Sequence, residues 1–575
     1  MSTSGFKTLA HYLPILRWGR HYRREQAIHD LMAALTVTLM LVPQALAYAI
    51  LAGLPPQVGL YASLLPLLVY ALLGTSATLA VGPVAVAALM TATAIAPYSA
   101  QDPALGLQAA LILACLSGLF LTLAGLFKLG FLANFLSHPV MSGFIAGASL
   151  VIASSQLPTL LGIQAEGSHL LALWQSMLGQ WHQVHLTTAM LSVLTLLVLG
   201  LARRYGQQGL LTLGCSPFWA QTLVRALPAV LVVLGTLAVH AGWAMFAGVR
   251  TVGHIPAGLP ALALPHGDLV MWQALLLPAV LISIIGTVES ISVAQSLALK
   301  RRERIDPDQE LIALGAANLA ASLSSGQPVT GGVSRSVVNM DAGAKTPAAG
   351  LFTAVGMCLA TLFLASWLSA LPRFILASTI IVAVISLVDV RAFVETWRRN
   401  RSDFAALVVT FMITLLVDIE HGISTGVMLS IAMHLYRSSR PHIAIVGQVP
   451  GTEHFRNVAR HAVTLCPDVV TLRVDESLYF ANARYLEQKV LEVVADNPSL
   501  KHVILMCSAV NEVDGSALEV LEAINHHLSA LGIGFHLSEV KGPVMDMLQH
   551  APLRQQLNGN IYLTQYQAYA ALSCH

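Results

Sequence analysis

Long apolar stretches recur along the 575-residue sequence from Leu31 to about Tyr436 and then stop. Most are close to the ~20 residues that an α-helix needs to cross the hydrocarbon core of a bilayer. Lipid offers no hydrogen bonds to the backbone, so a chain made of such stretches crosses the membrane as helices. The composition agrees, because 56% of the residues are hydrophobic, only 10% are charged, and the mean hydropathy is +0.70. The sequence therefore predicts a polytopic α-helical membrane protein.

Apolar stretches separated by turn signals predict fourteen membrane segments, of which two are too short to span a bilayer alone. Basic residues cluster at the N-terminus and after even-numbered segments, at Arg17 to Arg24, Lys128, Arg203 with Arg204, Lys300 to Arg304, Arg398 to Arg401, and Arg437 with Arg440. By the positive-inside rule, both termini of this multi-pass protein face the cytoplasm from the cell (inner or plasma) membrane. Arg250 and Arg373 are exceptions to this distribution. No short apolar core with a small-residue cleavage site precedes the first segment, so we expect no cleavable signal peptide.

The composition turns polar after Arg440, which predicts three regions: a cytoplasmic N-terminus at 1–28, a transmembrane domain at 29–440 and a cytoplasmic domain at 441–575. In the last region, "VVTLRVDESLYFANARYLEQKVLEVV" predicts two strands and a helix. We then expect a strand at "HVILMC", a helix from about Gly515 to Leu531, a strand at "GIGFHLSEV" and a helix near Pro543 to His550. This alternation predicts a small α/β domain.

Several classes of function are disfavoured. The six cysteines, Cys115, Cys215, Cys358, Cys466, Cys507 and Cys574, have no C-x-x-C spacing, which predicts neither a disulfide framework nor a metal site. A net charge of +2 argues against a nucleic-acid partner. No phosphate-binding loop is present, and no nucleophile, base and orienting group occur together, so we expect neither an enzyme nor a cofactor.

Two apolar segments are interrupted by small residues at matching positions. One is "VGPVAVAALMTATAIAP" (Val81 to Pro97), and the other begins within "SSGQPVTGGVSRSVVNMDAGAKT" (Ser324 to Thr346). They lie about 250 residues apart, as expected if each is the third segment of a seven-segment half, and an odd number of segments makes the halves inverted. Gly and Pro at such positions indicate a transporter's binding site near the middle of the membrane. The alternative is that they only kink ordinary membrane helices.

Half-helices that start inside the membrane favour an anion site. Each N-terminus has free backbone N–H groups and about half a positive charge, and Arg335 adds a full charge in the first turn of the second half-helix. Ser334 and Ser336 add hydroxyl donors. A charge at this depth is costly and therefore indicates function. The alternative is a structural ion pair between Arg335 and Glu289.

Further polar side chains lie in neighbouring segments. Gln44 and Tyr48 are one turn apart on one face of the first segment, beside Pro43, and they either line the site or form polar packing contacts. Glu289 is predicted to be the only acid deep in a long membrane segment, where burial favours the protonated form, so it could carry a co-transported proton. It could also ligate sodium, but Val293, one turn on, has no side-chain hydroxyl to help coordinate the ion, which favours the proton.

Five motifs resemble the SulP anion permeases, prokaryotic relatives of the animal sulfate, chloride and bicarbonate exchangers. They are "VPQALAYAILAGLPPQVGLYAS", "AVGPVAV", "GTVES", "VTGGVSRSVVNMDAGAKTPAAG" and "IIVAVISLVDV". The resemblance covers nearly the whole chain and implies a seven-plus-seven inverted repeat in which a core domain moves against a gate domain, usually within a homodimer. By motif, it assigns substrate binding to Gln44, Tyr48, Val84, Gly332, Val333, Ser334 and Arg335, and the acidic position of the eighth segment to Glu289.

The sequence departs from that family at two positions. Val84 stands where some animal members have an aromatic residue. Val293 replaces a threonine that resembles part of a sodium site in bicarbonate carriers, so sodium-coupled bicarbonate transport is disfavoured.

The polar C-terminal region resembles a STAS domain, the module shared with anti-sigma-factor antagonists. Ser516, in "SAVNEVDGSALEVL", matches the serine that is phosphorylated in some antagonists, although "DGSA" departs from the usual order of residues. Asp514 is expected to cap the following helix. A regulatory serine and a cytoplasmic partner of this domain are therefore hypotheses from the resemblance.

Together these features predict a secondary active inorganic anion transporter in the lipid bilayer, with proton-coupled sulfate uptake by an elevator-like alternating-access mechanism as the leading interpretation. Half-helix dipoles recognise charge and not a particular acid, so bicarbonate, chloride or dicarboxylate transport or exchange is an alternative. A passive anion channel or a membrane scaffold is an alternative of another class.

Overall fold

The computed structural model describes residues 12–134, 137–165 and 170–573, which divide into two units between Ser430 and Ile431. The first unit is almost entirely helical. Eight of its described helices are long and apolar enough to cross a membrane, and shorter apolar helices lie between them. The prediction of a polytopic helical membrane protein is confirmed.

The apolar helices of the described residues fall into fourteen segments. Segments 1 to 7 are Arg24–Leu51, Pro56–Leu73, Ala85–Ser99, Pro103–Leu126, His138–Leu161, Leu186–Thr212 and Pro217–His240. Segments 8 to 14 are Leu269–Arg301, Pro307–Leu323, Val333–Asp341, Ala348–Leu368, Arg373–Ile385, Arg401–Leu416 and Ile419–Ser439. Helices Leu170–Gly179 and Val390–Arg399 lie beside them in the chain. Segments 3 and 10 are short, as the sequence predicts.

Local signals start several of these helices. Segments 4 and 9 each begin with an Asp-Pro pair, in which the aspartate accepts hydrogen bonds from the backbone of the first turn. The proline suits the first helical position because it lacks a backbone N–H, which would have no acceptor within the helix there. The carboxylate of Asp102 accepts from the backbone N–H of Ala104 at 2.8 Å. The carboxylate of Asp268 accepts from that of Met271 at 3.0 Å, which caps segment 8 in the same way.

The packing of the segments is consistent with an inverted repeat. Segment 4 packs against segments 8 and 9, and segment 11, its equivalent in the second half, packs against segments 1 and 2. Segment 5 packs against segments 12 and 13, and segment 6 against segment 12. The two short segments join the first set, because segment 3 packs against segment 4 and segment 10 packs against segment 1. The first set corresponds to the expected core domain, and the second set corresponds to the gate domain.

A two-stranded antiparallel ribbon joins the halves. Strand β1 (Val81–Gly82) immediately precedes segment 3, and strand β2 (Thr330–Gly331) immediately precedes segment 10. Val81 pairs with Gly331, and Gly82 pairs with Thr330. The ribbon therefore brings the starts of the two half-helices together.

The second unit contains a six-stranded sheet of order β4-β3-β5-β6-β7-β8. Its strands are Ile443–Gln448 (β3), Phe455–Asn457 (β4), Val469–Val474 (β5), His502–Met506 (β6), Gly534–Ser538 (β7) and Ile561–Tyr562 (β8). Strands β5 to β8 are parallel, and β3 pairs antiparallel with both β4 and β5. Helices Ala483–Asp496, Gly515–Ala530, Gly542–Gln549, Leu553–Gln556 and Gln565–Leu572 complete the unit. The predicted α/β fold is confirmed.

One predicted strand of this unit is wrong. The stretch after β5, "ESLYF", is not a strand, because its only ladder contact with the described residues is a single bridge between Leu478 and Val513. The chain then turns into the next helix, since the backbone N–H of Tyr479 donates to the side-chain oxygen of Asn482 at 3.0 Å. Alternating apolar residues predicted a strand here, but this turn ends the pairing after one residue.

Candidate anion site at the starts of segments 3 and 10

The helices of segments 3 and 10 begin at the end of the β1–β2 ribbon without side-chain caps. The residues before their first turns are Val84 and Gly332, both in extended conformation, and neither makes a side-chain capping hydrogen bond. The backbone N–H of Gly332 donates to the carbonyl oxygen of Ala80 at 3.1 Å. The N–H groups of the first turns have no acceptor within their own helices, so the two N-termini together can bind an anion.

Side chains of segments 8 and 9 hold β2 in place. The hydroxyl of Ser290 accepts from the backbone N–H of Gly331 at 2.8 Å, and the hydroxyl of Thr330 donates to the carbonyl of Gly286 at 2.9 Å. The side-chain amide of Asn318 pairs with the backbone of Val329 in both directions, at 2.9 and 2.8 Å. These buried contacts fix the point at which segment 10 starts.

Ser336 has a structural role in this arrangement. Its hydroxyl donates to the carbonyl of Gly332 at 2.7 Å and accepts from the backbone N–H of Ala80 at 2.9 Å. The expectation that this hydroxyl serves as a donor for the ligand is therefore wrong for this conformation, because its proton already has an acceptor. Ser334 is exposed and Val333 is half-buried in the same turn.

Arg335 spans the space between the two half-helices. Its side chain is only 2% exposed, and its Nη1 donates to the carbonyl oxygen of Pro83 at 2.6 Å. Nε and Nη2 are buried and have no hydrogen-bond partner in the described chain. A methyl group on Gly332 would lie 2.9 Å from Nη2, so only glycine leaves this space free. Two charged N–H donors thus face a site without a protein acceptor.

The ion pair between Arg335 and Glu289, left open by the sequence, is absent from the described residues. No carboxylate oxygen there lies within 4.0 Å of a nitrogen of this guanidinium. Glu289 is half-buried in segment 8, and it and Tyr48 interact electrostatically with Arg335 over a longer distance. The charge of Arg335 therefore has a carboxyl group nearby but no direct counter-ion.

The remaining predicted residues lie in the same region. Tyr48 and Val84 are each 7% exposed and belong to one apolar cluster. The side-chain oxygen of Gln44 is buried without a hydrogen-bond partner in the described residues. Segments 1 and 8 both pack against segments 3 and 10. The four segments that carry the predicted residues thus pack together around the two helix starts, and Ser334 is exposed.

Comparison with known proteins follows the same division of the chain. The sulfate permease family model matches residues 28–410, and the STAS domain model matches residues 462–568. The chain belongs to the sulfate permease family.

Relatives match along most of this permease. Sulfate transporter 4.1 of Arabidopsis thaliana, described as chloroplastic, is 35% identical over 89% of this chain and 75% of its own. A probable sulfate transporter of Mycobacterium tuberculosis is 34% identical over 97% of each chain. The structure of murine solute carrier 26 family member A9, an anion transporter in the inward-facing state, superposes with a TM-score of 0.87 at 23% identity and covers 98% of this chain and 94% of that one. That likeness supports the fold.

Two buried acids of the permease were not identified from the sequence, which pointed to Glu289 alone. Glu310, fully buried at the start of segment 9, accepts four hydrogen bonds, at 2.6 to 2.9 Å, from Tyr70, Thr75 and Ser76. Asp30, also fully buried, accepts from Tyr22 and from the Lys345–Thr346 turn. These carboxylates fix the turns before β1 and after segment 10. Acids within apolar helices were the available signal, but both lie near helix starts, where acids are common.

In the STAS unit, the predicted cap is confirmed. The carboxylate of Asp514 accepts from the backbone N–H of Ala517 at 2.8 Å and from that of Phe480 at 2.9 Å. Ser516 is exposed in the first turn of the same helix. Among the residues that the structure describes in either unit, no group of three or more His, Cys, Asp or Glu side chains could hold a metal ion.

Proposed function

We propose that this permease is a secondary active transporter that takes up sulfate and binds it between the N-termini of segments 3 and 10. The observation that carries the proposal is the Arg335 guanidinium, buried beside two uncapped helix starts with Nε and Nη2 unpartnered in the described chain. A tetrahedral oxyanion can accept from both nitrogens and from backbone N–H groups. The names of its relatives, sulfate transporters from a plant and a bacterium, support this substrate.

Proton coupling follows from the position of Glu289. When this carboxyl group is ionised, its negative charge opposes an anion near Arg335, and when it is protonated, the positive charge of Arg335 is available to the anion. Proton binding and anion binding then favour each other, which is the thermodynamic requirement for symport. We therefore assign the coupling proton to Glu289.

The mechanism that fits this arrangement is elevator-like alternating access. Segments 1 to 4 and 8 to 11, which contain the site, would move as a core domain against segments 5 to 7 and 12 to 14. We further propose a homodimer in the cell membrane, with both termini in the cytoplasm, a transport domain at 29–440 and a STAS domain at 441–575. Phosphorylation of Ser516 or binding of a cytoplasmic partner would then act on the STAS domain.

Transport by purified protein tests this function. In liposomes with an acidic outside, we expect ³⁵S-sulfate to accumulate above the external concentration, and a protonophore should abolish the accumulation. Equilibration without accumulation would contradict coupling and indicate a passive channel, and absence of flux would indicate a scaffold. Unlabelled chloride, bicarbonate and dicarboxylates in excess decide the substrate, because an anion that competes better than sulfate would replace it in the proposal.

A further inference from the structure

A second basic pocket lies at one end of the gate segments. It is a cavity of about 230 Å³ whose lining includes His185, Thr188, Gly248, Arg250 and Arg373. These residues come from the start of segment 6, the chain before segment 8 and the start of segment 12. Its volume is several times the ~30 Å³ that one water molecule occupies in the liquid, so a small anion fits with part of its hydration shell.

The pocket lies across the membrane from a basic cluster. The first helix of segment 6, Leu186–Leu201, begins next to His185 and ends beside Arg203 and Arg204. Its 16 residues span about 24 Å. Because Arg203 and Arg204 mark the side that the charge distribution assigns to the cytoplasm, the pocket belongs to the opposite side.

The two arginines of the pocket are the two exceptions to the positive-inside distribution. Although far apart in sequence, they are neighbours, because the backbone N–H of Arg373 donates to the carbonyl oxygen of Arg250 at 3.0 Å. An isolated antiparallel bridge between Thr251 and Pro372 joins the same two chain regions. The two charges that topology does not explain are therefore collected at one place.

These two arginines differ in their contacts. The guanidinium of Arg373 is anchored, since its Nε donates to the carbonyl oxygen of Thr251 at 2.9 Å and its Nη2 to that of Val252 at 3.4 Å. The guanidinium of Arg250 makes no hydrogen bond or ion pair within the described residues. Among the residues that the structure describes, no carboxylate lines the cavity. Two positive charges thus face it without a counter-ion from the described part of the chain.

His185 supplies a further donor. Its Nδ1 accepts from the backbone N–H of Thr188 at 3.3 Å and lies 2.7 Å from the Thr188 hydroxyl, as the cap of segment 6. In the neutral ring this assigns the proton to Nε2. The backbone of Gly248 lies close to this Nε2 atom. The φ of Gly248 is +76°, which favours glycine, and a Cβ atom at this position would lie 3.2 Å from Nε2.

We propose that this pocket is a second anion site, which binds a divalent tetrahedral oxyanion such as sulfate through Arg250, Arg373 and His185. A dianion gains more than a monovalent ion from two fixed charges. The site is separate from the one at segments 3 and 10, and binding to it does not require that the chain transports the anion.

Equilibrium dialysis of ³⁵S-sulfate with the purified full-length protein tests this site. We expect two sulfate ions per chain in the wild type and one in Gly332→Leu, in which the site at segments 3 and 10 is filled. Adding Arg250→Gln to Gly332→Leu should weaken the remaining binding at least tenfold. Arg250 is the informative position because its side chain, unlike that of Arg373, makes no hydrogen bond within the described residues.

Two further variants in the Gly332→Leu background serve as controls. Arg391→Gln, which removes an exposed arginine on another helix, should leave the remaining binding unchanged. His185→Asn keeps a side-chain cap but loses Nε2, and it should weaken binding. Absence of binding in Gly332→Leu, or equal binding with and without Arg250→Gln, would overturn the proposal. Neither result would bear on transport through the first site.

Discussion

Replacing Arg335 by alanine should weaken sulfate binding more than chloride binding. The structure gives the magnitude, because Nε and Nη2 are buried donors with no protein partner in the described residues. A hydrogen bond from a charged donor contributes about 1.5–3 kcal/mol, which is roughly 10- to 150-fold in affinity. Sulfate can accept from both nitrogens through separate oxygen atoms, whereas chloride is a single monovalent acceptor, so we expect the larger loss for sulfate.

The assay is titration of purified Arg335→Ala with each anion, together with a thermal unfolding curve. Arg335→Lys keeps the charge but loses the planar pair of donors, so its affinity for sulfate should lie between those of Arg335→Ala and the wild type. Arg301→Ala is the matched control, because Arg301 also donates to a backbone carbonyl, that of Ala344 at 2.7 Å, but lies at the end of segment 8. Unchanged sulfate affinity in a folded Arg335→Ala protein would refute the reasoning. Arg335 would then have only the structural role of donating to the carbonyl oxygen of Pro83.

Four other perturbations test separate parts of the structure. Gly332→Leu should abolish binding of sulfate and chloride at the first site alike, because any side chain there meets the Arg335 guanidinium; selective loss of one anion would contradict this. Glu289→Gln should abolish pH-driven accumulation in liposomes while leaving sulfate binding, and continued accumulation against a gradient would exclude Glu289 as the proton carrier. Glu310→Ala leaves four donors without their acceptor and should lower stability by about 4 kcal/mol or more at about 1 kcal/mol each. Glu310→Gln keeps an acceptor for three of these donors and should unfold at a higher temperature than Glu310→Ala. Equal melting temperatures of the two variants would show that the network is unimportant. Burial and the neighbouring His502 lower the pKa of His536 to about 4 from 6.5. Between these two pH values the folded STAS unit binds fewer protons than the unfolded chain, so its free energy of unfolding should fall as the pH falls, by up to about 1.4 kcal/mol for each unit of pH. An unfolding free energy of this unit that is constant from pH 7 to 5 would contradict that assignment.

The two half-helices could be predicted from the sequence because their signals are local. Gly82-Pro83 and Gly331-Gly332 interrupt apolar runs, and Arg335 is a charge where lipid-facing residues are expected. The acceptor of that arginine could not be predicted. It is the carbonyl oxygen of Pro83, and a backbone acceptor is present at every residue, so it leaves no mark in the sequence.

Buried acids and isolated charges were harder to interpret for a related reason. Glu310 and Asp30 bind turns that lie more than two hundred residues away in the chain, and such pairings depend on how the two halves pack. Arg250 and Arg373 were visible only as exceptions to a charge rule, and their proximity depends on hydrogen bonds between chain regions that are far apart in sequence. In the STAS unit, "ESLYF" has the alternation of a strand but lacks a partner strand, which only tertiary structure determines.

Anomalous scattering from selenate, an analogue of sulfate, tests the central claim most directly. Crystals of the full-length protein soaked in selenate should show a selenium peak between the starts of segments 3 and 10, placed so that the selenate oxygen atoms lie within hydrogen-bonding distance of the Nε or Nη2 atom of Arg335. The same soak of Gly332→Leu crystals should lack that peak. Selenate bound elsewhere in the wild-type protein, with no peak between the two half-helices, would contradict the account.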